Sequence, residues 1–177
     1  PGIDVNKVND GGTTALMWSS KRGRTAIVQL LLAVPGIEVN NAAQDYGNTA
    51  LMWATYYRHR SIVELLLAAP GINVNHSNAV GNTALIWAIG NEYPYIVNLL
   101  LSHPGIDVNK ATNSGTTALM RASQKGHIGI VQLLLAAPGI DVNQPDDDGY
   151  TALTLAGEKG HTAIVQMLLA APGIDVN

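Results

Sequence analysis

Pro-Gly-Ile-x-Val-Asn opens the chain at Pro1 and recurs at Pro35, Pro70, Pro104, Pro138 and Pro172. The spacings between copies are 34, 35, 34, 34 and 34 residues. A period of this length constrains the fold more than any other feature, because it describes a stack of similar small units and not one globular core. Each unit then buries its apolar residues only against its neighbours. A hydrophobic content of 47% is ample for that burial and argues against disorder.

The first period shows how a unit is built. Residues 6–13 are rich in Asn, Asp and Gly and read as a turn or finger-like loop. Thr14 precedes the apolar run Ala15-Leu16-Met17-Trp18, and a Thr there can accept from an otherwise unpaired helix N–H. The first helix is expected to reach about Arg22. Gly23 then ends it, because Gly adopts the left-handed conformation without a Cβ penalty. A second helix is expected from about Arg24 to Ala33, with Ile27, Val28, Leu30, Leu31 and Leu32 on its apolar side. Pro35-Gly36 stops it. Helices this short are unstable alone in water, so each pair must stack on the next.

These residues resemble a known family. Thr-Ala-Leu-Met-Trp, then Gly-Arg-x-x-Ile-Val-x-x-Leu-Leu, then Gly-Ile-x-Val-Asn is similar to the ankyrin repeat, whose period is about 33 residues. The resemblance covers essentially the whole chain. It implies an all-α ankyrin-repeat solenoid of stacked helix-turn-helix units with projecting finger loops. The expected organisation is one domain over 1–177, with repeat units at about 1–34, 35–69, 70–103, 104–137 and 138–171. The start of a sixth unit falls at 172–177. Departures from the family pattern recur: Ala15, Ala50, Ala84, Ala118 and Ala152 stand where Pro is usual, and an extra Pro lengthens the period.

Individual units vary on this plan. The second carries one more loop residue, somewhere in Asn41 to Tyr46, so its finger should be longer or bulged. Arg58 and Glu92 stand where the other units have Gly. A non-Gly residue held left-handed costs roughly 1–2 kcal/mol, so those turns are expected to be less stable or differently shaped. Pro94 suits a first helical turn. Gly129 falls inside a helix at a cost of about 1 kcal/mol relative to Ala. The first unit and the last helix, Thr162 to Ala171, keep full apolar faces. Uncapped ends of this kind are expected to fray, to self-associate or to carry further repeats.

Several function classes are disfavoured. The formal charge is −3, whereas a general nucleic-acid binder presents a strongly basic face. There is no cysteine, hence no disulfide or thiolate metal site. No basic-then-apolar leader opens the chain. The longest apolar stretches, such as Ile130 to Ile140, fall short of the ~20 residues a membrane span needs. No nucleophile is paired with a base, and no Gly-rich phosphate loop or cofactor motif is present, so neither enzyme nor cofactor is expected. Asp146-Asp147-Asp148-Gly149 is not an EF-hand loop: with Gly149 sixth, Gln144 stands first and Leu155 twelfth. It reads as a turn that offers an acidic spot to a basic partner. His59, His127 and His161 share one phase. The resemblance implies that this His helps to start the second helix and bonds locally, not that it holds a metal. Trp18, Trp53 and Trp87 also share one phase, continued by Arg121 and Leu155. This stripe reads as packing between hairpins, with Arg121 not fully buried.

Positions that differ between units, against fixed core letters, are where specificity belongs. The resemblance places partner contacts on the loop tips and the outward face of each first helix, which line a concave groove. The corresponding residues are Lys21 and Arg22, then Asp45, Tyr46, Asn48, Tyr56 and Tyr57. Further along they are Asn82 and Asn91, then Gln124 and Lys125, and finally Asp147, Asp148 and Tyr150. The three tyrosines of the second unit stand out, because Tyr supplies contact area at low entropy cost. The expected function is a non-enzymatic scaffold that binds a protein through this groove. The alternative is an interior spacer of a longer array with no partner of its own.

Overall fold

The structure, a computed structural model, describes residues 3–176. Pro1, Gly2 and Asn177, the outer ends of the first and last motif copies, lie outside the described residues. The fold is an all-α repeat solenoid, with ten helices and no strand among the described residues. The helices pair into hairpins: α1 (Ala15–Lys21) with α2 (Thr25–Leu32), α3 (Ala50–Tyr56) with α4 (Arg60–Leu67), and α5 (Ala84–Gly90) with α6 (Pro94–Leu101). α7 (Ala118–Lys125) pairs with α8 (Ile128–Leu135), and α9 (Ala152–Glu158) with α10 (Thr162–Leu169). The chain forms two compact bodies, Pro1–Ala84 and Leu85–Asn177. In the N-terminal body α1 packs on α3 and α2 on α4. In the C-terminal body α7 packs on α9, and α8 on both α6 and α10.

Local sequence sets the helix ends. Thr14, Thr49, Thr117 and Thr151 each cap a first helix, their hydroxyls accepting from the N–H of Met17, Met52, Met120 and Thr154. Pro94 occupies the first turn of α6, where its missing N–H leaves no bond unmade. The core is aliphatic: Leu16 and Met17, Leu51 and Met52, Ile62 and Leu66 are buried in the N-terminal body, and Leu119, Met120, Ile130 and Leu134 in the C-terminal one. Apolar sequence alone does not ensure burial. In α2 only Val28 is buried, while Leu30 is 71% and Ile27 47% exposed.

Turns between the paired helices keep one shape whatever residue they carry, which corrects one of the two expectations for Arg58 and Glu92. Both are left-handed, with φ of 59° and 58°. Arg58 N–H donates to the Thr55 carbonyl and His59 N–H to Ala54, as Gly23 N–H donates to Ser20 and Arg24 N–H to Ser19. Glu92 and Tyr93 repeat the pattern with Ile89 and Ala88. The backbone bonds hold the turn, and the substituted residue takes the strain.

The motif's final Asn does more than start a loop. Asn6 Nδ2 donates to the Gly36 carbonyl (2.8 Å), and its Oδ1 accepts from Glu38 N–H (2.9 Å). Asn40 grips Gly71 and Asn73 in the same way. Asn109 grips Gly139 and Asp141, and Asn143 grips Gly173 and Asp175. Each Asn thus satisfies a carbonyl and an N–H in the next copy of its own motif. An internal bond of this kind is worth about 1 kcal/mol net, and more is lost if its partners are left unpaired.

The fingers are closed by short backbone bonds. Asn9 N–H donates to Thr13, and Gly12 N–H returns to Asn9. Asn78 with Asn82, Thr112 with Thr116 and Asp146 with Tyr150 follow the same rule. The second finger differs as the sequence predicts. Ala43 pairs with Asn48 and Gly47 N–H returns to Ala43, so three residues sit inside the turn where the others hold two. An isolated bridge between Ala42 and Thr49 closes its base.

Candidate functional site

The first helices of the N-terminal body carry an exposed array of aromatic rings and cations. It arises from helical spacing: Trp18 and Lys21 are three apart on α1, and Trp53 precedes Tyr56 and Tyr57 by three and four on α3, so each set shares a face. Packing of α1 on α3 then joins the two sets. Lys21 Nζ lies 4.3 Å from the Trp53 ring centroid and 5.2 Å from that of Trp18. Arg22 Cζ lies 5.5 Å from the Trp18 ring. Trp53 stacks on Tyr57 at 6.0 Å and meets Tyr56 edge-on at 6.5 Å. Tyr56 and Tyr57 form a T-shaped pair at 5.1 Å. Offset-stacked and edge-on pairs of this kind add about 0.5–1.5 kcal/mol each beyond area burial, so the rings hold one another in place.

Histidine fixes the far side of the array. Tyr57 stacks on His59 at 6.2 Å. His59 Nε2 donates to the carbonyl of Lys21, at 3.2 Å, in the preceding hairpin. His161 reaches the Gln124 carbonyl at the same distance. These histidines do occupy the N-cap positions of α4 and α10, but neither makes a side-chain cap bond. The expectation of local bonding is therefore corrected: the ring ties one hairpin to the one before it. His127, at the same phase, instead points Nδ1 at the Glu92 carboxylate (3.6 Å).

The expected contact residues fall in different settings. Lys21, Arg22, Tyr56 and Tyr57 are brought together in the array. Asp45 and Tyr46 stand exposed in the enlarged second finger, where Tyr46 N–H donates to the Asp45 carboxylate (2.6 Å). Asn48 is a correction: it is only 3% exposed, and its Oδ1 accepts from Asn78 Nδ2 at 2.9 Å. Its amide joins successive fingers and does not face a partner. Asn82 is half-buried, its carbonyl closing the third finger. Asn91 is exposed and donates to the Trp87 carbonyl. In the C-terminal body Gln124 is half-buried and Lys125 exposed. Asp147, Asp148 and Tyr150 are exposed on the fifth finger. Asp146 beside them accepts from Asp148 and Tyr150 N–H groups, the bonding of a turn.

Two side chains of the array were read differently from sequence. Trp18 and Trp53 read as part of a packing stripe, yet Trp18 is 40% exposed and Trp53 half-buried. At the same phase Leu155 is buried and Arg121 half-buried. No local signal separates them: the residue one helical turn on is polar-tipped at Lys21 and Tyr56, but equally at Gln124 after Arg121 and Glu158 after Leu155.

No group of His, Asp and Glu among the described residues could hold a metal ion, and no helix there is long and apolar enough to cross a membrane. No curated protein matches the chain. A family model described as ankyrin repeats in three copies matches residues 1–78, 70–146 and 110–177. Ankyrin repeats generally mediate protein–protein binding and are typically non-enzymatic scaffolds. The three matches together span the sequence: this chain belongs to the ankyrin-repeat family.

Proposed function

We propose that the chain binds a protein partner through the first-helix face and finger tips, with the aromatic array of the N-terminal body as its centre. The observation that carries this is the exposure of Trp18, Tyr56 and Tyr57, at 40%, 43% and 44%, in one cluster where ring contacts join the tyrosines to Trp53 and Lys21 links Trp53 to Trp18. Clustered Trp, Tyr and Arg side chains are the residue types that dominate binding energy at interfaces. The mechanism is rigid presentation. Helices hold the rings, and the rings hold one another, so little side-chain freedom is lost on contact.

Changing Tyr46, Tyr56 and Tyr57 together to Ala should remove the proteins retained by the immobilised chain. Helical circular dichroism should stay unchanged. Equal retention by the variant would refute this assignment of the site. The spacer reading has its own support in the exposed Ile27 and Leu30 of α2 and Leu169 of α10, which favour a neighbour on those faces. It predicts concentration-dependent association in sedimentation that the triple variant leaves intact.

A further inference from the structure

We propose that the aromatic array takes an acidic segment of a partner protein, a stretch in which carboxylates flank an apolar or aromatic side chain. This rests on the reading that the array is the binding surface, and adds the chemistry of what it binds.

The ring faces are already supplied with cations from within. Lys21 lies over Trp53 and near Trp18, and Arg22 lies over Trp18. A partner's cation would have to displace them and would meet their charge. An ammonium or guanidinium keeps its N–H donors when it rests on a ring, because a ring face supplies no lone pair. Those donors are not used on carboxylates among the described residues. Neither Lys21 nor Arg22 takes part in an ion pair such as those of Glu92 with His127 and Glu158 with Lys159. The remaining valence of the face is therefore for anions, set among apolar rings.

Charge along the chain agrees. Residues 1–84 hold six Lys and Arg against five Asp and Glu, and residues 85–177 hold four against eight. The array thus belongs to the half that does not repel an acidic segment. Two cations are too few for a nucleic-acid backbone, whose binding rests on many phosphate contacts. They suit one or two carboxylates, with the exposed ring area left for the apolar side chain between them.

The test is selection of a phage-displayed random dodecapeptide library on the whole chain, followed by affinity measurement on selected peptides. Asp and Glu should be enriched about twofold over the unselected library, and Lys21→Glu with Arg22→Glu should weaken binding about tenfold. Lys21→Gln with Arg22→Gln removes charge without reversing it, and should weaken binding less but in the same direction. Selected peptides with no acidic excess, or indifferent to both pairs of changes, overturn the acidic partner. If such peptides are still lost with Tyr56→Ser and Tyr57→Ser, the face stands and only its chemistry was misread. Peptides that survive the Tyr changes overturn the face itself. Failure to select any peptide also overturns the proposal, and binding of a labelled 20-nucleotide oligothymidylate in that case assigns the face to nucleic acid.

Discussion

Two corners of the C-terminal body solve the same geometric problem with different residues. At one, Gly126 is left-handed with φ of 77°, and the His161 ring sits so close that a Cβ on Gly126 would lie 2.8 Å from its Cε1. The ring reaches past it to the Gln124 carbonyl. At the other corner Glu92 takes the same backbone conformation, with φ of 58°. By comparison with Gly126, a Cβ at this corner falls where the ring would rest. His127 keeps its place in the sequence but not its bond. Its Nε2 is buried without a partner among the described residues, and its Nδ1 turns to the Glu92 carboxylate. The corner glycine therefore has two jobs, backbone freedom and clearance for the next hairpin's histidine. Losing it strains the turn and unmakes an inter-hairpin bond together.

Gly126→Ala should break this comparison most severely. It forces an L residue into the left-handed region, at about 1–2 kcal/mol, and drives a Cβ into the His161 ring. A total loss of about 2–3 kcal/mol is expected once the hydrogen bond is counted, read as a lower midpoint in urea. A loss under ~0.5 kcal/mol would mean that the ring moves aside freely. The opposite change, Glu92→Gly, should stabilise by about 1 kcal/mol. It should also let His127 reach the Gly90 carbonyl, which stands to it as Gln124 does to His161. Protection of the His127 ring N–H from exchange in an NMR spectrum is the direct readout, and an unaltered spectrum would mean that Glu92 is not what displaces the ring. Glu92→Gln is the smallest test. It keeps the Cβ and the strain while removing the carboxylate, so stability should change by less than about 1 kcal/mol. A larger loss would show that the ion pair, and not the backbone, sustains this corner.

The aromatic array was only partly legible in the sequence. Lys21, Arg22, Tyr56 and Tyr57 could be named because the positions vary between periods while the core letters do not. Trp18 and Trp53 could not be separated from a packing stripe, since Trp suits either side of a helix and period alone does not say which. Asn48 failed for a related reason. Polar and on a finger, it looked available, but Asn78 lies 30 residues on and takes its Oδ1. The enlarged finger, by contrast, was readable, because one inserted residue must leave the turn.

What the sequence alone determined here is local: hairpins at a fixed period, Thr caps, and an extra residue in the second finger. Each depends on residues within about one turn of one another, where sterics and backbone hydrogen bonding leave few choices. The stacking decided the rest. Asn6, Asn40, Asn109 and Asn143 each grip a carbonyl and an N–H about 30 residues on, His59 and His161 reach back to an earlier hairpin, and Lys21 settles between two tryptophans from different helices. Those partners are distant in the chain and neighbours only in the stack, so their identity follows from packing and not from local pattern.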